Sequence, residues 1–193
     1  MQLSTKQINE EKLKKNGFIF GKLKNKKIIL RIKDNLEVKL KQILKLKKKI
    51  RLEQYHKLDL SREEHFKVQW LLSNHFIKNK FHNKIVYELL DTLKYLIGPD
   101  LLIQKKPYIR IARPNNLEDN IGFHKDTMYG QSTYEMSVHT PLVNLNSKSC
   151  LKFVPFSHMF NEKKIKLNKN LINNKNKVKK NSYLHKLGFP YDP

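Results

Sequence analysis

At 193 residues the chain has the length of one ordinary domain, enough to bury a real core. Ten Phe and eight Tyr among 39% hydrophobic residues exclude a disordered polypeptide, although 30% charged residues is high for a globular enzyme. The formal net charge of +23 invites a nucleic-acid role, but only Arg31, Arg51, Arg62, Arg110 and Arg113 are arginines among 40 basic residues. The guanidinium fork is what base-edge readers favour, so the expectation is no specific nucleic-acid partner. Abundant Lys, Asn and Ile point instead to a composition bias, and such a charge still promotes non-specific binding to polyanions. A single cysteine, Cys150, excludes an internal disulfide and a Cys-based zinc cluster and suits a reducing, cytoplasmic setting. Flanked by Leu151 and Val154, it reads as a small core residue. The N-terminus has no apolar h-region, so no signal peptide is expected, and no apolar run approaches the length of a membrane span.

In chain order, Ser4-Thr5-Lys6-Gln7 reads as a capping box for a helix through about Lys15, with Gly17 as its stop. Gly17–Lys22 and Lys27–Ile32 read as two strands of a hairpin turning at Lys24-Asn25-Lys26. Asp34-Asn35-Leu36-Glu37 then opens a predicted helix through about Ile50, with Leu36, Leu40, Ile43 and Leu44 on one face and lysines on the other. A basic amphipathic helix can lie on an anionic membrane, but packing on a core with a solvated lysine face is the simpler expectation. Ser61-Arg62-Glu63-Glu64 is another capping box, for a helix reaching about His75 or Phe76. Residues 81–96 carry Ile85, Leu89, Leu93 and Leu96 at helical spacing, and Gly98-Pro99 breaks that helix. His56, His65, His75 and His82 have no partner at metal-ligand spacing and read as structural or surface residues.

From Leu101 the pattern changes to short strand-like runs: Leu101–Gln104, Tyr108–Ala112, Ile121–Lys125, Glu135–Leu142 and Leu151–Pro155. Polar turns separate them at Pro114-Asn115-Asn116 and Asn144-Leu145-Asn146-Ser147. The predicted architecture is therefore α+β. Residues 1–100 form a helical scaffold with an N-terminal hairpin, and residues 101–193 form part of a double-stranded β-helix, a cupin-like jelly roll. One domain over 1–193 is expected, with the Lys- and Asn-rich stretch 161–181 as a mobile surface insertion.

Within the second half, Gly122-Phe123-His124-Lys125-Asp126-Thr127 sets an imidazole and a carboxylate two residues apart. On a strand, residues i and i+2 share a face, so His124 and Asp126 can offer one nitrogen and one oxygen to a single metal. One further histidine would complete the two-His, one-carboxylate triad of non-haem Fe(II) oxygenases, whereas the plain alternative is a surface turn that happens to read His-x-Asp.

Four segments in order resemble the phytanoyl-CoA dioxygenase-like family of Fe(II)/2-oxoglutarate oxygenases. They are Tyr108-Ile109-Arg110-Ile111-Ala112-Arg113-Pro114, Gly122-Phe123-His124-Lys125-Asp126, Ser137-Val138-His139-Thr140-Pro141-Leu142, and Ser149–His158 around Leu151 and Pro155. The last segment departs from the family's Gly-x-Leu-x-x-x-Pro-Gly-Ser-His wording at its first position and at Phe156. The resemblance implies His124 and Asp126 as ligands of Fe(II), and 2-oxoglutarate as cosubstrate. It further implies Arg113 and His139 beside that cosubstrate, and hydroxylation of a small molecule, with a carbohydrate-pathway intermediate the suggested class. It also implies a distal histidine and then an arginine, yet no Arg follows Arg113, and His139, His158 and His185 fall in segments matching other parts of the pattern. Three explanations stay open: a truncated or split product completed by a second polypeptide, His185 as a substitute ligand, or a catalytically dead homologue. A basic polyanion-binding protein is the alternative from a different functional class.

Overall fold

The computed structural model describes residues 5–116, 119, 123–161, 178–179 and 191–192. Four helices carry the described part: α1 (Thr5–Asn16), α2 (Lys27–Ile43), α3 (Arg62–Lys78) and α4 (Phe81–Ile97). The chain divides into two compact units. The first comprises Met1–Gln7, Phe20–Pro114 and His139–Lys152; the second comprises Ile8–Ile19, Asn115–Val138 and Phe153–Pro193.

In the first unit α2 occupies the place expected for the second strand of a hairpin. Lys27–Ile32 is rich in β-branched residues, which favour strands. However, Ile28, Ile32, Leu36 and Leu40 recur every four residues, and the last three are almost wholly buried. Tertiary packing of that stripe overrides the local preference. The helix start is held from outside: Asn25 accepts the Lys27 N–H on its side chain (3.0 Å), while Glu88 of α4 accepts the Asn25 N–H (2.8 Å). Lys24 adds an ion pair to Asp91 at 2.7 Å.

Helix α3 begins as its sequence requires. Ser61 accepts the Glu64 N–H (3.2 Å) and Glu64 accepts the Ser61 N–H (2.9 Å), closing the capping box. Its inner face, His65, Val68, Leu72 and Phe76, meets Ile32, Leu36 and Leu40 of α2 and Phe81 and Ile85 of α4 in one buried cluster that also takes in Tyr55. His65 is a satisfied core histidine, its Nδ1 paired with the Tyr55 hydroxyl at 2.9 Å. The buried Glu37 accepts the Leu52 N–H at 3.1 Å, which ties the 3₁₀ turn Leu52–Lys57 to α2. The opposite face of α3 leaves Phe66 and Trp70 exposed, with the Arg62 guanidinium 5.6 Å from the Phe66 ring centroid.

The predicted jelly roll is not what the chain forms. Leu101–Gln104, Tyr108–Ala112, Glu135–Leu142 and Leu151–Pro155 contain no strand, nor do the described residues of Ile121–Lys125. The only strand residues among those described are β1 (Val178–Lys179) and β2 (Tyr191–Asp192), paired in parallel and matching none of the predicted strands. The segment Tyr108–Ala112 shows the physical reason. Its alternation is that of an extended chain, with Ile109 and Ile111 packed on the helical core and Tyr108 and Arg110 outside. Its backbone donors find helix side chains instead of a neighbouring strand: Ile109 N–H donates to Ser73 Oγ (3.3 Å) and Ile111 N–H to Gln69 Oε1 (2.9 Å). Once those donors are satisfied by α3, no ladder is required. Cys150 is exposed, against the expectation of a core residue.

In the second unit, Gly17 ends α1 in the left-handed region (φ 83°) and donates to the Leu13 carbonyl at 2.8 Å. The 153–160 segment clasps this helix end. Phe156 N–H donates to the Asn16 carbonyl (3.2 Å), His158 Nε2 bonds the Lys14 carbonyl (3.0 Å), and Phe153 stacks on Phe18. Most of the expected 161–181 insertion lies outside the described residues, as does His185.

Candidate metal centre

The His-x-Asp motif lies in the second unit, at the entry to a 3₁₀ turn over Asp126–Tyr129. Lys125 between the two donors is extended (φ −103°, ψ 143°), so a single residue of strand-like backbone sets both side chains on one side. His124 Nε2 and Asp126 Oδ1 lie 3.5 Å apart. The turn beneath them is firmly seated: Met128 has no exposed surface, and its N–H donates to the Lys125 carbonyl at 3.0 Å. Gly130 ends the turn with φ 84°, where a side chain would be strained, and donates to the Thr127 carbonyl at 3.0 Å.

Two groups orient the donors. Ser137 Oγ donates to Asp126 Oδ2 at 2.7 Å, fixing the carboxylate plane while Oδ1 faces the imidazole. The Tyr129 ring meets His124 edge-on, with centroids 5.1 Å apart and planes at 85°. Lys125 turns away, its ammonium donating to the His158 carbonyl (3.2 Å) and to that of Phe160. Nothing in the sequence flags Ser137 as the partner of Asp126, since the pairing crosses eleven positions of chain.

No family model, curated protein or solved structure matches the chain. Donor atoms each about 2.1 Å from a shared ion can be at most about 4.2 Å apart, so a 3.5 Å separation is within reach of one metal. A carboxylate held by a hydroxyl on its second oxygen is the arrangement that commonly supports metal ligands. Among the described residues no group of three His, Cys, Asp or Glu side chains gathers around a point, so what those residues present is a pair rather than a full triad. Arg113 and His139, expected beside the cosubstrate, belong to the first unit. Arg113 NH1 donates to the Leu60 carbonyl at 3.0 Å, and the His139 side chain is exposed. His158 is committed to the α1 clasp.

Proposed function

We propose that His124 and Asp126 are two ligands of a non-haem Fe(II) site of the 2-oxoglutarate-dependent oxygenase type, acting on a small-molecule substrate. The observation that carries this reading is the 3.5 Å approach of His124 Nε2 to Asp126 Oδ1, with Ser137 holding the second carboxylate oxygen. The wording of the sequence from Tyr108 to His158 supports it; a barrel fold does not. Iron with 2-oxoglutarate would supply the oxygen chemistry for hydroxylating a C–H bond. The chain's part is to present a neutral imidazole nitrogen and an ionised carboxylate from a turn that Met128 locks in place. Arg113 and His139 carry no part of this proposal.

Calorimetric titration of the whole chain with Co(II) or Mn(II), in the absence of oxygen, tests the reading. One ion per chain should bind, and His124→Ala and Asp126→Ala should each abolish binding. Ser137→Ala should weaken it about tenfold, the low end for loss of an outer hydrogen bond. Undiminished metal uptake by both ligand variants would overturn the assignment.

A further inference from the structure

We infer that the segment Lys39–Arg51, from the last turns of α2 into the following loop, is a binding site for the phosphate backbone of nucleic acid, without sequence preference. The segment holds Lys39, Lys41, Lys45, Lys47, Lys48, Lys49 and Arg51 and no acidic residue. Lys49 is ion-paired with Asp34 and Glu37, and Arg51 with Glu53. The other five lysines make no ion pair among the described residues; Lys45, Lys47 and Lys48 are exposed, and Lys39 and Lys41 are half-buried. Elsewhere in this unit the structure does pair lysines with carboxylates, as Lys24 with Asp91 and Lys33 with Glu53. What sets the five apart from other exposed lysines is their density: they fall within ten consecutive positions, 39–48, that hold no acidic residue.

The backbone holds this cluster in one shape. Leu46 N–H donates to the Lys41 carbonyl (3.0 Å) and Lys45 N–H to that of Gln42 (3.3 Å), the paired bonds of a Schellman helix end. Lys45 occupies the left-handed position of that motif, with φ 51°. Glycine or asparagine is the usual occupant, and an ordinary side chain there costs about 1–2 kcal/mol. The chain keeps a lysine at that cost, in the middle of the basic run. Strained residues of this kind gather at functional sites.

The apolar neighbours decide between kinds of polyanion. Leu40 is buried, and Ile43, Leu44 and Ile50 pack on the core, so no apolar side chain of the segment stands fully exposed to enter a bilayer. Charge alone is a poor membrane anchor. No aromatic ring lies in the segment, which removes base stacking and leaves contact with phosphates. Lysines act there as point charges.

Five phosphate contacts predict a slope of about −4.5 in log K against log salt on duplex DNA, equal to about a 500-fold loss of affinity between about 50 and 200 mM salt. The test compares two variants of the whole chain, each lowering the net charge by five, in fluorescence anisotropy with a labelled random-sequence duplex. In one, Lys39, Lys41, Lys45, Lys47 and Lys48 become Gln; in the other, the scattered exposed Lys12, Lys22, Lys57, Lys67 and Lys105 become Gln. The clustered variant should lose most of the salt slope and bind at least a hundredfold more weakly at about 50 mM salt. The scattered variant should stay within about threefold of the natural chain, and Lys→Arg at the five clustered positions should retain binding. Equal losses in the two Gln variants would overturn the inference, as would loss of binding in the Arg variant. Tighter binding to phosphatidylserine vesicles than to the duplex would do the same.

Discussion

Gly17→Ala tests the clasp between α1 and the 153–160 segment. A Cβ built at Gly17 would lie 2.4 Å from His158 Nδ1, 2.8 Å from its Cγ and 3.1 Å from its Cβ. The imidazole must therefore leave, and the 3.0 Å contact of His158 Nε2 with the Lys14 carbonyl goes with it. Two costs combine: about 1–2 kcal/mol for an L-residue at φ 83°, and about 1 kcal/mol for the lost hydrogen bond. The expected destabilisation of this unit is about 2–3 kcal/mol. Native-state hydrogen exchange reads it at the Gly17 and Phe156 amides, which donate to Leu13 and Asn16, with exchange faster by about thirty- to a hundred-and-sixtyfold. A double-mutant cycle separates the terms. His158→Ala removes the two closest collision atoms and the hydrogen bond, so Gly17→Ala in that background should cost mainly the backbone part, leaving a coupling of about 1 kcal/mol. Strict additivity, or unchanged exchange in Gly17→Ala, would refute the packing of His158 on the helix end.

Ser61→Ala removes one half of the α3 capping box and should cost the first unit about 1 kcal/mol, read as a lower urea midpoint with unchanged m-value. The acid limb of stability should involve His75 and His82. Burial holds the pKa of both below the ordinary value of about 6.5, and Lys39 and Lys78 push His75 further down. The unfolded chain therefore takes up protons first. Stability contributed by the two neutral imidazoles is complete above about pH 6.5 and is lost as pH falls from there through their lower folded values. His75→Gln with His82→Gln should flatten a melting-temperature profile between about pH 7 and 5; an unchanged slope in the double variant would remove these two groups from the account.

Local signals carried the helices that can be read from their own residues. The reciprocal bonds of Ser61 and Glu64 span three positions, and α4 shows its buried stripe and its Gly98 terminus without help from elsewhere. The start of α2 was obscured because Lys27–Ile32 has strand propensity, and what makes it helical is a core completed by Tyr55 and by the inner faces of α3 and α4, beyond the reach of local pattern. The same holds for Tyr108–Ala112, whose period-two pattern is real while its hydrogen-bond partners sit on a helix. At the candidate centre, the His124–Asp126 spacing was visible and survives in a 3₁₀ entry because one intervening residue is extended. The support from Ser137 and Tyr129 depends on how the loop returns, which no spacing rule encodes.

Trp70, the only tryptophan, is 64% exposed on the outer face of α3. An indole already in contact with water changes its surroundings little when the chain is denatured, so its emission will be nearly blind to loss of the core. Conversely, anything that comes to rest against that side of the helix will register at once, giving this protein a built-in optical probe for surface encounters rather than for melting.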